Sequence, residues 1–152
     1  MEVHVATIED FNAEARRFAR ALRRASDVAT IVTLSGELGA GKTTFTQALA
    51  KEFGIEDTVS SPTFVIEKIY NLVSDKQSFP LQAFTRLVHI DAYRLKGTHD
   101  LKVLGWKELV AEPNNLIVLE WPEHVAGAVP QDAIQITLKE SREGRTIIYG
   151  KK

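Results

Sequence analysis

The stretch SGELGAGKTTF, from Ser35 to Phe45, constrains this chain more than any other part of its sequence. Residues 36–43 match the pattern G-x-x-x-x-G-K-[ST] at every position. In that pattern a tightly curled backbone turns several N–H groups inward, toward the oxygens of a phosphate chain. An apolar, β-branched segment, ATIVTL (29–34), comes before the motif, and apolar residues at helical spacing follow it. The sequence therefore predicts a buried strand, a phosphate-binding loop and a helix, in that order.

The chemistry of the motif predicts a site for ATP and Mg²⁺. The Lys42 ammonium would reach the β- and γ-phosphates, and the Thr43 hydroxyl would be a ligand of Mg²⁺. No N-K-x-D sequence, the signature of guanine recognition, occurs in the chain, so ATP is favoured over GTP. The predicted nucleotide-binding residues of this loop are Glu37, Leu38, Gly39, Ala40, Gly41, Lys42, Thr43 and Thr44.

A P-loop enzyme usually also has an acid at the end of a second buried strand, where it helps to hold Mg²⁺. Two segments compete for this role: LVHID ends at Asp91, and LIVLE ends at Glu120. The second segment is wholly apolar before its acid, as a central strand should be, whereas the first carries His89 and resembles a half-exposed strand. We therefore expect Glu120 on the metal side and Asp91 nearer the γ-phosphate, although a solvated carboxylate at a strand end remains the alternative for each.

The remaining pattern indicates an α/β fold. Thr7 to Asp10 form a capping box before a first helix, and 101–110 predicts a short helix interrupted at Gly105. Further strands are predicted at 3–6, 63–70, 87–93, 115–121, 134–138 and 146–149. Because some strands follow each other without a helix, we expect a mixed central sheet with helices on its faces, in a single P-loop NTPase-like domain over residues 1–152.

Composition narrows the functional classes. The chain has no cysteine, no apolar run of membrane-spanning length and no signal-peptide pattern at its N-terminus, which favours a cytoplasmic protein without a membrane association. A net charge of −1 gives no overall attraction to nucleic acid. Five arginines crowd residues 16–24, and the sequence leaves open whether they form a solvated helix face or a docking face for a partner or RNA.

The segment SSPT, Ser60 to Thr63, precedes a predicted strand and has two interpretations. It is either a simple turn or a mobile loop in which Thr63 senses the γ-phosphate.

Taken together, GELGAGKTTF, SPTF, HIDAYRL and LEWPE, in this order in a chain of about 150 residues, resemble the TsaE (YjeE) family of bacterial P-loop ATPases. The resemblance covers nearly the whole chain. It implies a role in making the tRNA modification threonylcarbamoyladenosine (t6A), together with the partner proteins TsaB and TsaD. ATP hydrolysis would reset the TsaB–TsaD complex between turnovers, and we expect little direct tRNA binding by this chain alone.

The resemblance also implies roles for individual residues. It places Lys42 and Thr43 on the phosphates and Mg²⁺, Thr63 in a switch-like loop, and Asp91 and Glu120 in the H-x-D-x-Y-R and E-W-P-E motifs. It further implies a nucleotide contact near the first helix, here Thr7, and an arginine near the C-terminus, here Arg142. The predicted catalytic residues are Asp91, Glu120, Lys42 and Thr63.

The segment Asn71 to Arg86 is longer than the resemblance leads us to expect. It is either an extended hairpin whose Phe79, Leu81 and Phe84 pack on their own domain, or a variant partner contact.

Two other functions would use the same P-loop. A small-molecule kinase needs a second substrate pocket and a lid, for which this chain has little room. A nucleotide-gated scaffold would bind ATP without turnover. No convincing arginine finger is found, so we expect hydrolysis to be weak in the isolated chain.

Overall fold

A seven-stranded sheet forms the centre of the computed structural model, which describes residues 1–24, 27–55, 66–72 and 84–150. Its strands are β1 (Glu2–Val5), β2 (Thr30–Ser35), β3 (Glu67–Asn71), β4 (Arg86–Asp91), β5 (Asn115–Glu120), β6 (Ile134–Ser141) and β7 (Gly144–Tyr149). The helices are α1 (Ile8–Ala21), α2 (Lys42–Glu52), α3 (Thr98–Val103) and α4 (Trp106–Ala111), and a 3₁₀-helical segment spans Pro122–Ala128.

The sheet is mixed, with the strand order β1-β7-β6-β2-β5-β4-β3. Four central strands, β6, β2, β5 and β4, pair in parallel, while β1, β7 and β3 add antiparallel pairs toward the edges. The predicted α/β class with a mixed sheet is confirmed. Because the central strands are parallel, the carboxyl ends of β2, β5 and β4 meet at one edge, which is where open α/β sheets bind ligands.

Two apolar clusters cover the two faces of the sheet. One joins α1 and α2 to the sheet and contains Phe11, Phe45 and Leu87. The other joins α3, α4 and the 3₁₀ segment to the opposite face and contains Leu101 and Leu109. Since both faces of the central strands are covered, their sequences are continuous apolar runs and do not alternate between apolar and polar residues.

Local sequence accounts for the helix boundaries. Thr7 is the N-cap of α1, and its hydroxyl accepts a hydrogen bond from the Asp10 amide at 3.1 Å, as the capping box predicts. Gly105 has φ of 81° and separates α3 from α4, where the interrupted helix was expected. Among the residues that the structure describes, no helix combines the length and the apolar character of a membrane span.

A hydrogen bond connects α1 to β7, and its acceptor also forms an ion pair within α1. The Glu14 carboxylate pairs with Arg17 at 2.5 Å and accepts a hydrogen bond from the Tyr149 hydroxyl at 2.8 Å. The hydrogen bond from Arg17 is the main reason that the pKa of Glu14 lies below its ordinary value. The arginines of α1 are thus partly engaged within the chain itself, since Arg20 also pairs with Glu52 of α2.

The expectation that the strand carrying His89 is half-exposed is wrong. Five of the six residues of β4, from Leu87 to Asp91, are buried. The strand lies between β5 and β3 in the sheet. A polar residue is tolerated there because the His89 ring is bonded to the Glu120 carboxylate of the neighbouring strand.

Several sequence predictions fall outside the described residues, among them the segment Ser60 to Thr63, the start of the strand predicted at 63–70, and Phe79 and Leu81. Phe84, at the end of the long insertion, is buried and packs edge-on against Phe53, with ring centroids 6.1 Å apart. At least this aromatic of the insertion therefore packs on its own chain.

Candidate functional site

The glycine-rich motif lies between β2 and α2, at the carboxyl edge of the sheet. Gly36 (φ 151°) and Gly41 (φ 111°) adopt backbone conformations that side chains disfavour. A Cβ at Gly36 would lie 2.6 Å from the Leu138 carbonyl oxygen of β6, and one at Gly41 would lie 3.0 Å from Phe11. The loop is therefore packed so closely on its neighbours that glycine is required at both positions.

The other loop residues differ in exposure. Glu37, Leu38 and Gly39 face solvent, Ala40 is buried, and Thr44 is half-buried in the first turn of α2. That turn carries no acidic residue. Its free amides and the positive end of the helix dipole are therefore available to an anion.

Lys42 is folded back onto its own loop. Its ammonium donates hydrogen bonds to the carbonyl oxygens of Gly36 at 2.6 Å and Glu37 at 2.9 Å. It also lies 4.4 Å from the centre of the Trp121 ring, a cation–π distance. Burial lowers the pKa of Lys42 below its ordinary value, and the neighbouring carboxylates, with Glu120 first, oppose that shift.

Glu120 reaches the motif from the end of β5. Its backbone is paired with Leu34 of β2, which brings its side chain to the start of α2. Only 2% of Glu120 is exposed. Its two carboxylate oxygens lie 3.4 and 3.5 Å from the hydroxyl of Thr43. The structure thus brings together the two residues that the sequence assigned to the metal.

Asp91 lies next to Glu120, because the two residues are partners in the register of β4 and β5. It is buried, and its carboxylate accepts a hydrogen bond from the amide of Tyr93 at 3.0 Å, which turns the chain after the strand. Both predicted acids therefore lie at the same edge of the sheet, with Glu120 in contact with the loop. The fourth predicted catalytic residue, Thr63, lies outside the described residues.

His89 was singled out only as a polar interruption in its strand, yet it lies directly at the site. Its Nε2 is 2.5 Å from Oε2 of Glu120, and the ring is completely buried. Since a carboxylate can only accept, we describe this contact as an Nε2–H donating to Glu120. Its position in H-x-D, two residues before Asp91, was the available signal, because alternate strand residues share a face.

Three aromatic rings cluster next to the loop, where one of them, Trp121, contacts Lys42. Tyr93, Trp121 and His124, here called the aromatic cluster, have ring centroids 5.0 to 6.0 Å apart. The Nδ1 of His124 lies 3.0 Å from the Ala92 carbonyl oxygen. Trp121 itself has a left-handed backbone with φ of 59° and ψ of 52°, a conformation that is rare for a large residue and that concentrates at functional sites.

The two nucleotide contacts predicted outside the loop, Thr7 and Arg142, have different surroundings. The Thr7 hydroxyl is engaged as the cap of α1, and Arg142 is exposed in the turn between β6 and β7. By contrast Arg145 of β7, which was not among the predicted site residues, lies 5.4 Å from the Phe11 ring and 3.5 Å from where a Cβ on Gly41 would be. Its Nε is buried without a hydrogen-bond partner among the described residues.

A cavity of about 810 Å³ opens beside the first half of the loop. Its lining includes Gly36 and Glu37, Trp121 of the aromatic cluster, and polar residues of β6 such as Thr137. Lys42, Thr43 and Glu120 are not part of that lining. The cavity therefore adjoins the motif at Gly36 and Glu37, whose carbonyl oxygens accept the hydrogen bonds from Lys42.

Comparisons with known proteins agree with this architecture. Residues 8–147 match the family model described as "Threonylcarbamoyl adenosine biosynthesis protein TsaE". A tRNA threonylcarbamoyladenosine biosynthesis protein TsaE of Streptomyces coelicolor is 38% identical over 123 residues, which cover 81% of this chain and 74% of the relative. The protein of the same name from Treponema pallidum is 31% identical over 128 residues, covering 84% and 86%.

The fold has a solved counterpart. The crystal structure of YdiB from Bacillus subtilis superposes with a TM-score of 0.73 at 27% identity, covering 98% of this chain and 83% of that one. Together with the match over residues 8–147, these likenesses show that the chain belongs to the TsaE family, whose members act in the biosynthesis of threonylcarbamoyladenosine in tRNA.

Proposed function

We propose that this chain binds ATP with Mg²⁺ at the glycine-rich loop and hydrolyses it in the t6A pathway. The single observation that carries the proposal is the approach of the buried Glu120 carboxylate to the Thr43 hydroxyl, at 3.4 Å, directly beside the complete phosphate-binding motif. A strand-end acid beside the motif's hydroxyl residue is the arrangement in which P-loop enzymes hold Mg²⁺.

The residues present suit Mg²⁺. Thr43 and Glu120 offer a hydroxyl and a carboxylate, and hard oxygen ligands of this kind are those that Mg²⁺ prefers. In this proposal both residues hold the ion, which when bound neutralises charge that develops on the phosphates. Asp91, at the same edge, would orient the attacking water or the Thr63 loop.

Lys42 would exchange one set of acceptors for another. In the structure its ammonium is bonded to the carbonyls of Gly36 and Glu37. A phosphate chain in the loop would offer oxygens with full negative charge, which form stronger hydrogen bonds to an ammonium than neutral carbonyls do. The lysine would then stabilise the β- and γ-phosphates and the charge that develops during transfer.

We assign to Arg145, rather than to Arg142, the C-terminal arginine that the family resemblance implies. Arg145 lies beside Gly41 and Phe11, and its buried Nε lacks a hydrogen-bond partner among the described residues. A nucleotide in the loop would supply an acceptor for this nitrogen. Thr7 remains a prediction, on the same side of the loop.

The proposal extends to the setting of the reaction. The chain acts in the cytoplasm with the TsaB–TsaD pair, and ATP hydrolysis resets that pair between turnovers. Docking of the partners would exclude water from the site and bring Thr63 into the reaction, since closure of a site on binding often completes the catalytic arrangement.

ATP turnover by the purified chain, measured alone and with both partners, tests this proposal. We expect weak turnover alone and a much higher rate in the ternary assembly, lost in Thr63→Ala. ATP binding without turnover in any assembly would instead identify a nucleotide-gated scaffold. Rapid turnover by the isolated chain, unchanged by the partners, would favour a self-sufficient kinase or ATPase.

A further inference from the structure

His89 has no role in the function proposed above, although it lies in the middle of the site. Its ring is 0% exposed, and its Nε2 lies 2.5 Å from Oε2 of Glu120. The other ring nitrogen, Nδ1, is buried and has no hydrogen-bond partner among the described residues. Among the described residues, the ring therefore has its polar contact with Glu120.

The register of the sheet explains how the two side chains meet. His89 is paired with Val118 across β4 and β5, and Asp91 is paired with Glu120. Since alternate residues of a strand share a face, His89, Val118 and Glu120 all point toward α2. The imidazole thus lies on the same face of the sheet as the Glu120 carboxylate, on the neighbouring strand and two residues before the partner of Glu120.

Packing alone is a poor explanation for a histidine at this position. An unpaired buried nitrogen costs roughly 1–3 kcal/mol, a cost that an apolar residue would not carry. The residues that flank His89 on β4, Val88 and Ile90, are apolar and equally buried. The histidine therefore needs a reason other than filling space, and its contact with Glu120 supplies one.

That contact restrains the part of Glu120 that would otherwise be free to turn. The terminal torsion of a glutamate is broad, so the plane of its carboxylate is set by hydrogen bonds. With Oε2 held by His89, both oxygens stay close to the Thr43 hydroxyl, Oε1 at 3.4 Å and Oε2 at 3.5 Å. The contact with His89 thus keeps the carboxylate facing the loop.

We propose that His89 is a positioning residue for Mg²⁺ binding, which acts by holding the Glu120 carboxylate in the orientation that meets Thr43. The inference rests on the proposed function, since it assumes that Glu120 is a ligand of Mg²⁺. Partners that orient a metal-binding carboxylate typically change metal affinity by about 10- to 100-fold when they are removed.

Three variants separate positioning from packing. His89→Leu removes the donor, and His89→Gln keeps an N–H at a similar reach. Val88→Ala is the matched control, because Val88 is equally buried on the same strand but belongs to the cluster on the opposite face of the sheet. The binding of a fluorescent, non-hydrolysable ATP analogue is measured in EDTA and then across a Mg²⁺ titration.

We expect His89→Leu to raise the Mg²⁺ concentration for half-maximal enhancement of binding by about 10- to 100-fold. Affinity for the analogue in EDTA should stay close to that of the wild type. His89→Gln should recover most of the loss, and Val88→Ala should leave the Mg²⁺ dependence unchanged despite its lower stability. An unchanged Mg²⁺ dependence in His89→Leu, or an equal shift in Val88→Ala, overturns the inference.

A second measurement uses the wild-type chain and so does not depend on whether His89→Leu folds. In ¹⁵N-histidine NMR spectra of the wild type, the Nε2–H of His89 should give a signal protected from solvent exchange, which shifts when Mg²⁺ is added to the complex with ADP. A signal that does not respond to Mg²⁺ contradicts the inference. If the wild-type chain binds the analogue with no response to Mg²⁺ at all, or does not bind it, the proposed function itself is wrong.

Discussion

Replacing Lys42 by alanine is the most direct test of the loop, because the contacts of this side chain in the structure differ from those in the proposed complex. In the structure, its ammonium is bonded to two loop carbonyls and lies over the Trp121 ring. With ATP bound, it should transfer to the phosphates. The variant loses the second set of contacts but does not have to break the first.

The structure sets the size of the expected effect. A hydrogen bond from a charged donor contributes about 1.5–3 kcal/mol, and a cation–π contact about 0.5–2 kcal/mol. Two such bonds and one ring contact must be given up, so the gain on binding phosphate is largely offset. We therefore expect Lys42→Ala to weaken ATP binding by only about 1–3 kcal/mol, roughly 5- to 150-fold. Turnover should fall further, by about 10²- to 10³-fold, since charge on the phosphates grows in the transition state.

Titration with a labelled ATP analogue and a steady-state turnover assay with the partners measure the two effects separately. Lys51→Ala is the matched control, because Lys51 is an exposed lysine in the last turn of the same helix. It should stay within about twofold of the wild type in both assays. If Lys42→Ala equals Lys51→Ala in affinity and in turnover, the lysine does not contact the phosphates and the reasoning is refuted.

Three other perturbations test separate parts of the site and the fold. Glu120→Gln should raise the Mg²⁺ concentration for half-maximal turnover by about 10-fold or more. Asp91→Asn should instead lower the rate at saturating Mg²⁺. If both variants keep wild-type turnover at limiting Mg²⁺, neither acid has the role proposed. Arg145→Ala should weaken binding of the ATP analogue by about 10-fold or more, and Arg142→Ala by less than about twofold; equal effects would remove the assignment of Arg145. The lowered pKa of Glu14 means that its contribution to the unfolding free energy is complete above its ordinary pKa and is lost as the pH falls through the lowered pKa. Glu14→Gln should therefore reduce stability at pH 7 and make denaturant unfolding less sensitive to acid, and an unchanged pH profile would argue against this linkage.

Local patterns were sufficient to predict most of the elements. The capping box at Thr7 specifies the start of α1 through contacts within four residues, and Gly105 divides α3 from α4 through its own backbone preference. The apolar run before Glu120 predicted a central strand, and β5 lies buried between β2 and β4. In each of these cases the information is carried by neighbouring residues, so it can be read without knowing the rest of the fold.

The register between distant strands could not be predicted in the same way. Whether His89 is exposed or paired with Glu120 depends on how β4 aligns with β5, and the two residues are 31 positions apart. The position of Arg145 depends on the pairing of β7 with β1, which brings it beside Gly41 and Phe11. Arg142, only three residues away, is exposed in the preceding turn. The resemblance gave only an arginine near the C-terminus, and the choice of Arg145 in the proposed function depends on strand pairing that the local sequence does not reveal.

Two consecutive residues at the end of β5 contact two consecutive residues at the start of α2: Glu120 meets Thr43, and Trp121 meets Lys42. In an extended strand these two neighbours would point to opposite faces, so one of them would face away from the loop. The left-handed backbone of Trp121 ends the strand and turns the chain, while its amide still donates to the Leu34 carbonyl of β2 at 3.1 Å. The proposed metal ligand, Glu120, and the ring that contacts the lysine, Trp121, are thereby neighbours along the backbone. In the proposed complex, a phosphate chain that draws Lys42 away from Trp121 would act on the residue next to Glu120, so we expect phosphate binding and Mg²⁺ binding at this loop to be coupled.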